Sequence, residues 1–249
     1  MKFSIITVCR NSADTIARAL ESVAQQSGVE VEHIVIDGAS NDGTLAFIDS
    51  ARPSLAHVIS EADHGIYDAM NKGLALATGD VLGFLNADDY YPDPKILAHV
   101  AAMFELQTLD GVLGDVGFFQ PGNPARVVRR YDSSRFSPAR IGWGWMPAHP
   151  GMFLRRQIYE TIGSFRTDYE IAGDFEFVAR AFGAGKLRTR HLPQILVMMQ
   201  TGGASTRGFR SSIALNREIL RACRENGIPS NILKLSAKFP LKALELLRS

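Results

Sequence analysis

Cysteine is nearly absent. The 249 residues hold two, Cys9 and Cys223, too few for a disulfide framework and in keeping with a reducing compartment. Excess charge of either sign is lacking as well. The formal net charge is +1, so bulk electrostatics makes no case for nucleic acid or an acidic partner. No uncharged apolar run reaches the roughly 18 residues of a membrane span, and the opening MKFSIITVCRNS turns polar too early for a secretory signal. There is no repeat of fixed period and no low-complexity tract. These absences predict a globular, cytoplasmic protein, and 46% hydrophobic with 21% charged residues fits that class.

Common catalytic and phosphate-binding signatures are missing too. GAGK at 183–186 lacks the first Gly and the Ser/Thr of a P-loop. No G-x-G-x-x-G follows the first apolar run, which counts against a dinucleotide oxidoreductase. No G-x-S-x-G elbow marks a serine hydrolase. His and Cys show no zinc spacing, and no alternating Asp/Asn run with a distal Glu marks an EF-hand.

What is present is alternation of strand and helix. The short apolar runs FSIITV (3–8), HIVID (33–37), HVIS (57–60) and VLGFL (81–85) read as strands. Between them, Ile16, Ala19, Leu20 and Val23 recur at helical spacing after a capping Ser12 or Asp14, and 41–50 reads as a turn and short helix. In 65–79, Ile66, Ala69, Met70, Gly73, Leu74 and Ala77 form one stripe, with Gly79 as the stop. Further strands are expected at GVLG and ARVVRRY, at the start of MFLRRQIYETIG, and in LPQILVMMQ. Helices are expected at the end of MFLRRQIYETIG, in AGDFEFVARAFGAGK and over 210–225. This order predicts an α/β sandwich with a largely parallel sheet. Polar residues gather at the strand ends: Thr7, Arg10 and Asn11; Asp37; Glu61 and Asp63; Asn86, Asp88 and Asp89. Ligands of open α/β sheets bind at such ends, although loops are polar in any case.

The Asp88–Asp89 doublet asks for a cation, because no Lys or Arg follows it until Lys95. Mg²⁺ or Mn²⁺ would suit it, bound through one or two carboxylates and a substrate diphosphate. The doublet could equally cap the helix that follows near Pro92 and Pro94.

Three stretches, TVCRNSADTIARALESVAQQ, HIVIDGASNDGT and HGIYDAMNKGLALATGDVLGFLNADD, resemble the family 2 glycosyltransferases of the GT-A fold, in particular bacterial enzymes of the colanic-acid or capsule type. The likeness is close over 3–92 and thinner over 143–207. It implies a GT-A αβα sandwich with a mostly parallel central sheet. One domain would span 1–209, with a nucleotide-sugar half (1–92) and an acceptor half (93–209), followed by a helical extension over 210–249. It implies inverting transfer of one sugar from a nucleotide-diphosphate sugar to a glycan or lipid-linked acceptor, with Mg²⁺ or Mn²⁺ as cofactor. By position, Asp37 would meet the nucleobase, and Thr7, Arg10 and Asn11 would line the nucleotide pocket with Asp63, Asn71, Lys72 and Asn86. Asp88 would bind donor and metal, and Asp174 would be the general base. Without the resemblance, Asp174 reads as a first-turn acid favoured by the helix dipole.

Several positions depart from the family pattern. Asn86 replaces the first Asp of Asp-x-Asp, Gly38 stands where a second Asp often follows the first, and Met70 stands where many members carry Arg. Lys72 could supply the missing charge or be an ordinary surface lysine. TGGAST (201–206) takes the region of the processive synthases' Gln/Arg-x-x-Arg-Trp, which favours transfer of a single sugar. His149, Trp143 and Trp145 are candidate acceptor contacts. Lys234, Lys238 and Lys242 among apolar residues suggest a basic amphipathic segment over 230–249 that could meet a membrane surface, with Pro240 breaking it. Two other functions stay open, a nucleotidyltransferase that makes a nucleotide sugar and a non-catalytic nucleotide-sugar binder.

Overall fold

The computed structural model describes residues 1–202 and 208–236, with the side chains of 208–211 excepted. Its strands are β1 (Lys2–Cys9), β2 (Glu30–Asp37), β3 (His57–Ser60), β4 (Val81–Phe84), β5 (Gly111–Phe119), β6 (Arg129–Tyr131), β7 (Met152–Arg155) and β8 (Thr189–Gln200). The helices are α1 (Ile16–Ala24), α2 (Thr44–Ala51), α3 (Ile66–Leu76), α4 (Ile96–Leu106), α5 (Arg156–Ile162), α6 (Gly173–Phe182), α7 (Gly208–Glu225) and α8 (Ile232–Ser236).

The strands form one sheet in the order β3-β2-β1-β4-β7-β5-β6, with β8 also paired to β5. β3, β2, β1 and β4 are mutually parallel, as are β5 and β8; β7 runs antiparallel to β4 and β5, and β6 antiparallel to β5. This is the GT-A type of α/β sandwich that the sequence predicts. The chain steps from β1 to β2 on one side and returns to β4 on the other, so the strand order reverses at β1. In open α/β sheets, ligands bind at the carboxyl ends beside such a reversal.

Alternation along β1 shows why the sheet is covered on both faces. Ile6 and Val8 join Ile34, Ile36, Met70, Phe84 and Phe177 in one core, whereas Phe3 and Ile5 join Leu97, Val100, Phe104, Val112 and Phe153 in another. Gly83 is needed between them, since a Cβ there would lie 2.7 Å from the Phe153 ring. α6 turns Phe175, Val178, Ala179 and Phe182 inward, as its spacing predicts, and buries Phe177 as well. α7 and α8 add Ile219, Ala222, Cys223 and Leu235 to the first core.

Several details differ from the sequence expectations. α4 is the helix expected after the Asp doublet, near Pro92 and Pro94, and it fills the second core. Lys95 caps it without a side-chain hydrogen bond, so the Asp88–Asp89 doublet does not serve as its cap. On α3 the neighbour of Ile66 is the buried one: Tyr67 is 5% exposed and Ile66 44%. The helix ends at Leu76, with Ala77 as its extended C-cap, rather than at Gly79. No helix among the described residues is long and apolar enough to cross a membrane. Most of the expected basic tail lies outside the described residues.

Candidate functional site

The carboxyl ends of the first four strands gather most of the expected residues. Asp37 closes β2 opposite Cys9 of β1 and is fully buried. It accepts the backbone N–H of Ser40 at 3.0 Å, the Ser60 hydroxyl at 2.7 Å and the Ser40 hydroxyl, and the Cys9 thiol lies 3.6 Å away. Burial opposes its ionisation, but these donors outweigh it and hold the carboxyl below its usual range. Asn11 sits in the left-handed region (φ 51°) and accepts the Asn41 N–H at 2.9 Å, tying the loop after β1 to the loop after β2. A Cβ on Gly38 would lie 2.8 Å from the Asp63 carboxylate and 3.4 Å from Arg10. That crowding accounts for glycine at this departure from the family pattern.

Other expected residues have partners of their own. Thr7 is buried and shares a hydrogen bond with the His33 ring at 2.9 Å. Lys72 pairs with Asp63 at 2.6 Å and Glu61 at 2.9 Å, with Asp68 at 3.7 Å; the bond to Asp63 chiefly raises its pKa. It therefore stands in an acidic nest rather than as a loose surface lysine. Asn71 uses both ends of its amide on Phe165, donating to the carbonyl at 2.8 Å and accepting the N–H at 2.9 Å. Trp143 is exposed beside Lys234 of α8, whose ammonium lies 5.7 Å from the ring centroid. Trp145 is partly buried.

After β4 lie Asn86, Asp88 and Asp89. Asn86 Oδ1 and Asp89 Oδ1 are buried without a partner among the described residues, and Asn86 Nδ2 stands 3.5 Å from the other Asp89 oxygen. Burial raises the pKa of Asp88, and it raises that of Asp89 further, aided by the charge of Asp88. Arg18 of α1 partly offsets both. Its guanidinium lies 5.0 Å from the Tyr90 ring centroid and 4.8 Å from that of Phe119. Orphaned oxygens beside a carboxylate suit a hard divalent cation.

His149 is packed against Phe84, at 5.3 Å between ring centroids, and against Phe165 at 5.7 Å. Burial pushes its pKa down to about 4, so the ring is neutral near pH 7. Asp174 sits in the first turn of α6. Burial raises its carboxyl to about 6, against the pull of the Phe175 N–H at 2.7 Å and the Tyr67 hydroxyl at 3.4 Å. Tyr67 belongs to α3, the helix that also carries Lys72, so Asp174 lies beside the helix whose lysine pairs with the acids after β3.

Asp115, Asp132 and His191 form a separate group, with ligand atoms within 4.8 Å of one another, that could hold a metal. Asp115 already accepts Arg130 Nε at 2.8 Å, the Ser133 N–H at 2.8 Å and His191 Nε2 at 2.8 Å. A guanidinium thus compensates that buried charge.

Arg18, Tyr67 and the paired serines Ser40 and Ser60 are site features that the sequence reading did not pick out. Arg18 lies off the apolar stripe of α1, and the partners of the others are remote or in loops.

Comparison with known proteins settles the family. The chain matches the family described as glycosyl transferase family 2 over residues 4–163. It is 33% identical over 212 residues to a PGL/p-HBAD biosynthesis glycosyltransferase of Mycobacterium bovis, covering 82% of this chain and 78% of that protein. The chain belongs to glycosyl transferase family 2. An uncharacterized glycosyltransferase of Mycobacterium tuberculosis is 34% identical to it over 180 residues, 72% of this chain and 68% of the other. Among solved structures, S. aureus TarS 1–349 in complex with UDP-GlcNAc matches this glycosyltransferase with a TM-score of 0.70 at 22% identity, over 89% of this chain and 66% of that one. The mannosyltransferase PcManGT of Pyrobaculum calidifontis, in complex with GDP-Man and Mn²⁺, matches with a TM-score of 0.62 at 18% identity, over 98% and 80%. At these identities the two structures speak for the fold.

Proposed function

We propose that this glycosyltransferase moves one sugar from a nucleotide-diphosphate sugar to a hydroxyl of a glycan or lipid-linked acceptor in the building of bacterial surface polysaccharide, with inversion at the anomeric carbon. One observation carries the reading. A carboxylate whose pKa is raised to about 6, Asp174, lies 3.4 Å from the Tyr67 hydroxyl of α3, the helix whose Lys72 pairs with Glu61 and Asp63 after β3. At that pKa it is ionised near neutral pH yet basic enough to take a proton, which is what an acceptor hydroxyl needs of its base. A single displacement with base and leaving group on opposite faces inverts the carbon.

The other residues follow from that geometry. Asp37 must release Ser40 or Ser60 to accept a nucleobase N–H. The donor set after β4 fits a metal: Asp88 would hold Mg²⁺ or Mn²⁺, with Asn86 Oδ1 and Asp89 Oδ1 as further oxygens. Such an ion offsets the charge that develops on the leaving diphosphate. Loss of one acid at Asn86 makes that affinity weaker than an Asp-x-Asp site would give. Complexes of the structural relatives with UDP-GlcNAc and with GDP-Man and Mn²⁺ support the choice of ligand class.

The test is thermal-shift screening of UDP-, GDP- and dTDP-sugars with and without Mn²⁺, on wild type and on Asp174→Asn. One donor class should stabilise both proteins, by about 2.7 kcal/mol at a hundred times its dissociation constant. The variant should lose about 10²–10⁴-fold in turnover. Wild-type turnover should fall as the pH drops through about 6, because the base is then protonated. Near-normal turnover in the variant would remove Asp174 from the mechanism.

A further inference from the structure

The segment that delivers Asp174 is gripped by a side chain far along the chain. Glu218, on α7, accepts three consecutive backbone N–H groups, from Glu170 at 2.8 Å, Ile171 at 2.9 Å and Ala172 at 2.7 Å. Ala172 is the N-cap of α6 and has no side-chain cap of its own. Successive amides aimed at one carboxylate make charge-assisted bonds of well-defined direction. From the other side the Tyr67 hydroxyl donates to the Ile171 carbonyl at 2.7 Å. Residue 171 is therefore held by both its N–H and its C=O, three residues before Asp174.

The same face of α7 continues the grip at helical spacing. Arg221 donates to the Asp168 carbonyl at 3.0 Å and pairs with its carboxylate. Glu225 accepts from Arg166 at 2.7 Å and from the Tyr169 hydroxyl at 2.8 Å. The whole approach to α6, residues 166–172, is docked on one helix face.

We propose that Glu218 is a positioning residue for the base: its carboxylate, bonded to the amides of residues 170–172, fixes the entry of α6 and so the aim of Asp174. The proposal rests on the assignment of Asp174 as base. Glu218 also acts on that group through its charge. Tyr67 from α3 and Glu218 from α7 both act on Asp174, and Glu218 adds to burial in disfavouring a second negative charge. A clamp that served stability alone would leave kcat of the folded variants where it is, whereas the titration of Asp174 reads the charge of Glu218 by itself.

The full chain is prepared as wild type, Glu218→Gln, Glu218→Asp, Glu225→Gln and Asp174→Asn. Three quantities are followed: amide hydrogen exchange at 170–172, a ¹³C-carboxyl NMR titration of Asp174, and hydrolysis of UDP-N-acetylglucosamine or GDP-mannose with Mn²⁺, whichever the wild type turns over. Glu218→Gln should speed exchange at 170–172, shift the titration of Asp174 and the acid limb of kcat to lower pH, and cut kcat about 10- to 100-fold, the cost of a displaced catalytic group. The donor KM should stay within about two-fold. Glu218→Asp keeps the charge, so the limb should stay in place while kcat recovers part of the loss. Glu225→Gln grips the same loop but not the amide run, and should lower the melting temperature without moving the limb. An unchanged kcat and limb in Glu218→Gln, beside an inactive Asp174→Asn, overturns the positioning role and leaves the base assignment standing. Full turnover by Asp174→Asn overturns the base assignment, and the clamp's catalytic meaning with it. Should Glu218→Gln fail to fold, Glu218→Asp decides: wild-type kcat with fast exchange at 170–172 overturns the proposal.

Discussion

Asp88 and Asp89 share their surroundings with a cation that their own stretch of sequence does not contain. Arg18 reaches them from α1, held against the rings of Tyr90 and Phe119, and its Nε is buried without a hydrogen-bond partner among the described residues. A fixed positive charge there would compete with a divalent ion held, as proposed, by the same carboxylates. Arg18→Gln should therefore tighten Mn²⁺ binding about five-fold, the size of a Coulomb term of about 1 kcal/mol, whereas Arg18→Lys should leave it nearly unchanged. Isothermal titration with Mn²⁺ measures both, and weaker binding in the Gln variant would show that the guanidinium does not act on the doublet. The doublet itself was plain in the sequence because adjacent acids after an apolar run are conspicuous. Arg18 was hidden because the spacing that announces α1 runs through Ile16, Ala19, Leu20 and Val23, and an arginine beside that stripe looks like any solvated one.

At the scale of elements, the gathering of polar residues at the strand ends was readable for a related reason. β1 to β4 are short apolar runs that end in polar residues, and that contrast needs no long-range information. What ties those ends to the second half of the chain does need it. The spacing in α3 points to Ile66, yet Tyr67 goes inward, drawn by its bond to the Ile171 carbonyl; a rotation of one residue is invisible when both neighbours are apolar. Asn71, expected to meet the donor, has its amide paired with the Phe165 backbone. Asn71→Ala should thus cost about 1–3 kcal/mol of stability, as buried backbone groups lose their partners, and leave the thermal shift caused by a nucleotide sugar intact. Urea unfolding and the donor screen check the two halves of that statement. Loss of the donor shift at unchanged stability would make Asn71 a ligand contact instead.

Over the whole molecule, buried imidazoles set how the fold answers to acid. Burial pushes His33 down to about 3 and His149 down to about 4, against an unfolded value of about 6.5. The unfolded chain therefore takes up these protons first. The stability each ring contributes is complete above pH about 6.5 and is lost as the pH falls toward its folded value, at about 1.4 kcal/mol per pH unit. Asp174 works the other way. Its folded pKa of about 6 exceeds the unfolded one, so its contribution is present below pH about 4 and is lost as the pH rises through 6. Comparing wild type with His33→Gln isolates the imidazole. Between pH 6.5 and 5, wild type should lose about 2 kcal/mol more than the variant in urea unfolding, and equal losses would mean that His33 takes up its proton in the fold as readily as in the unfolded chain.

The two cysteines have a practical consequence at the same scale. Cys9 and Cys223 are 7% and 1% exposed, and burial raises both thiols above their ordinary range. At neutral pH neither offers a thiolate to an alkylating reagent while the fold is intact. The native chain is therefore a silent background for single-site labelling: a cysteine placed at an exposed position such as Arg217 would carry a spin or fluorescent probe on α7 alone, with no need to remove the natural pair first.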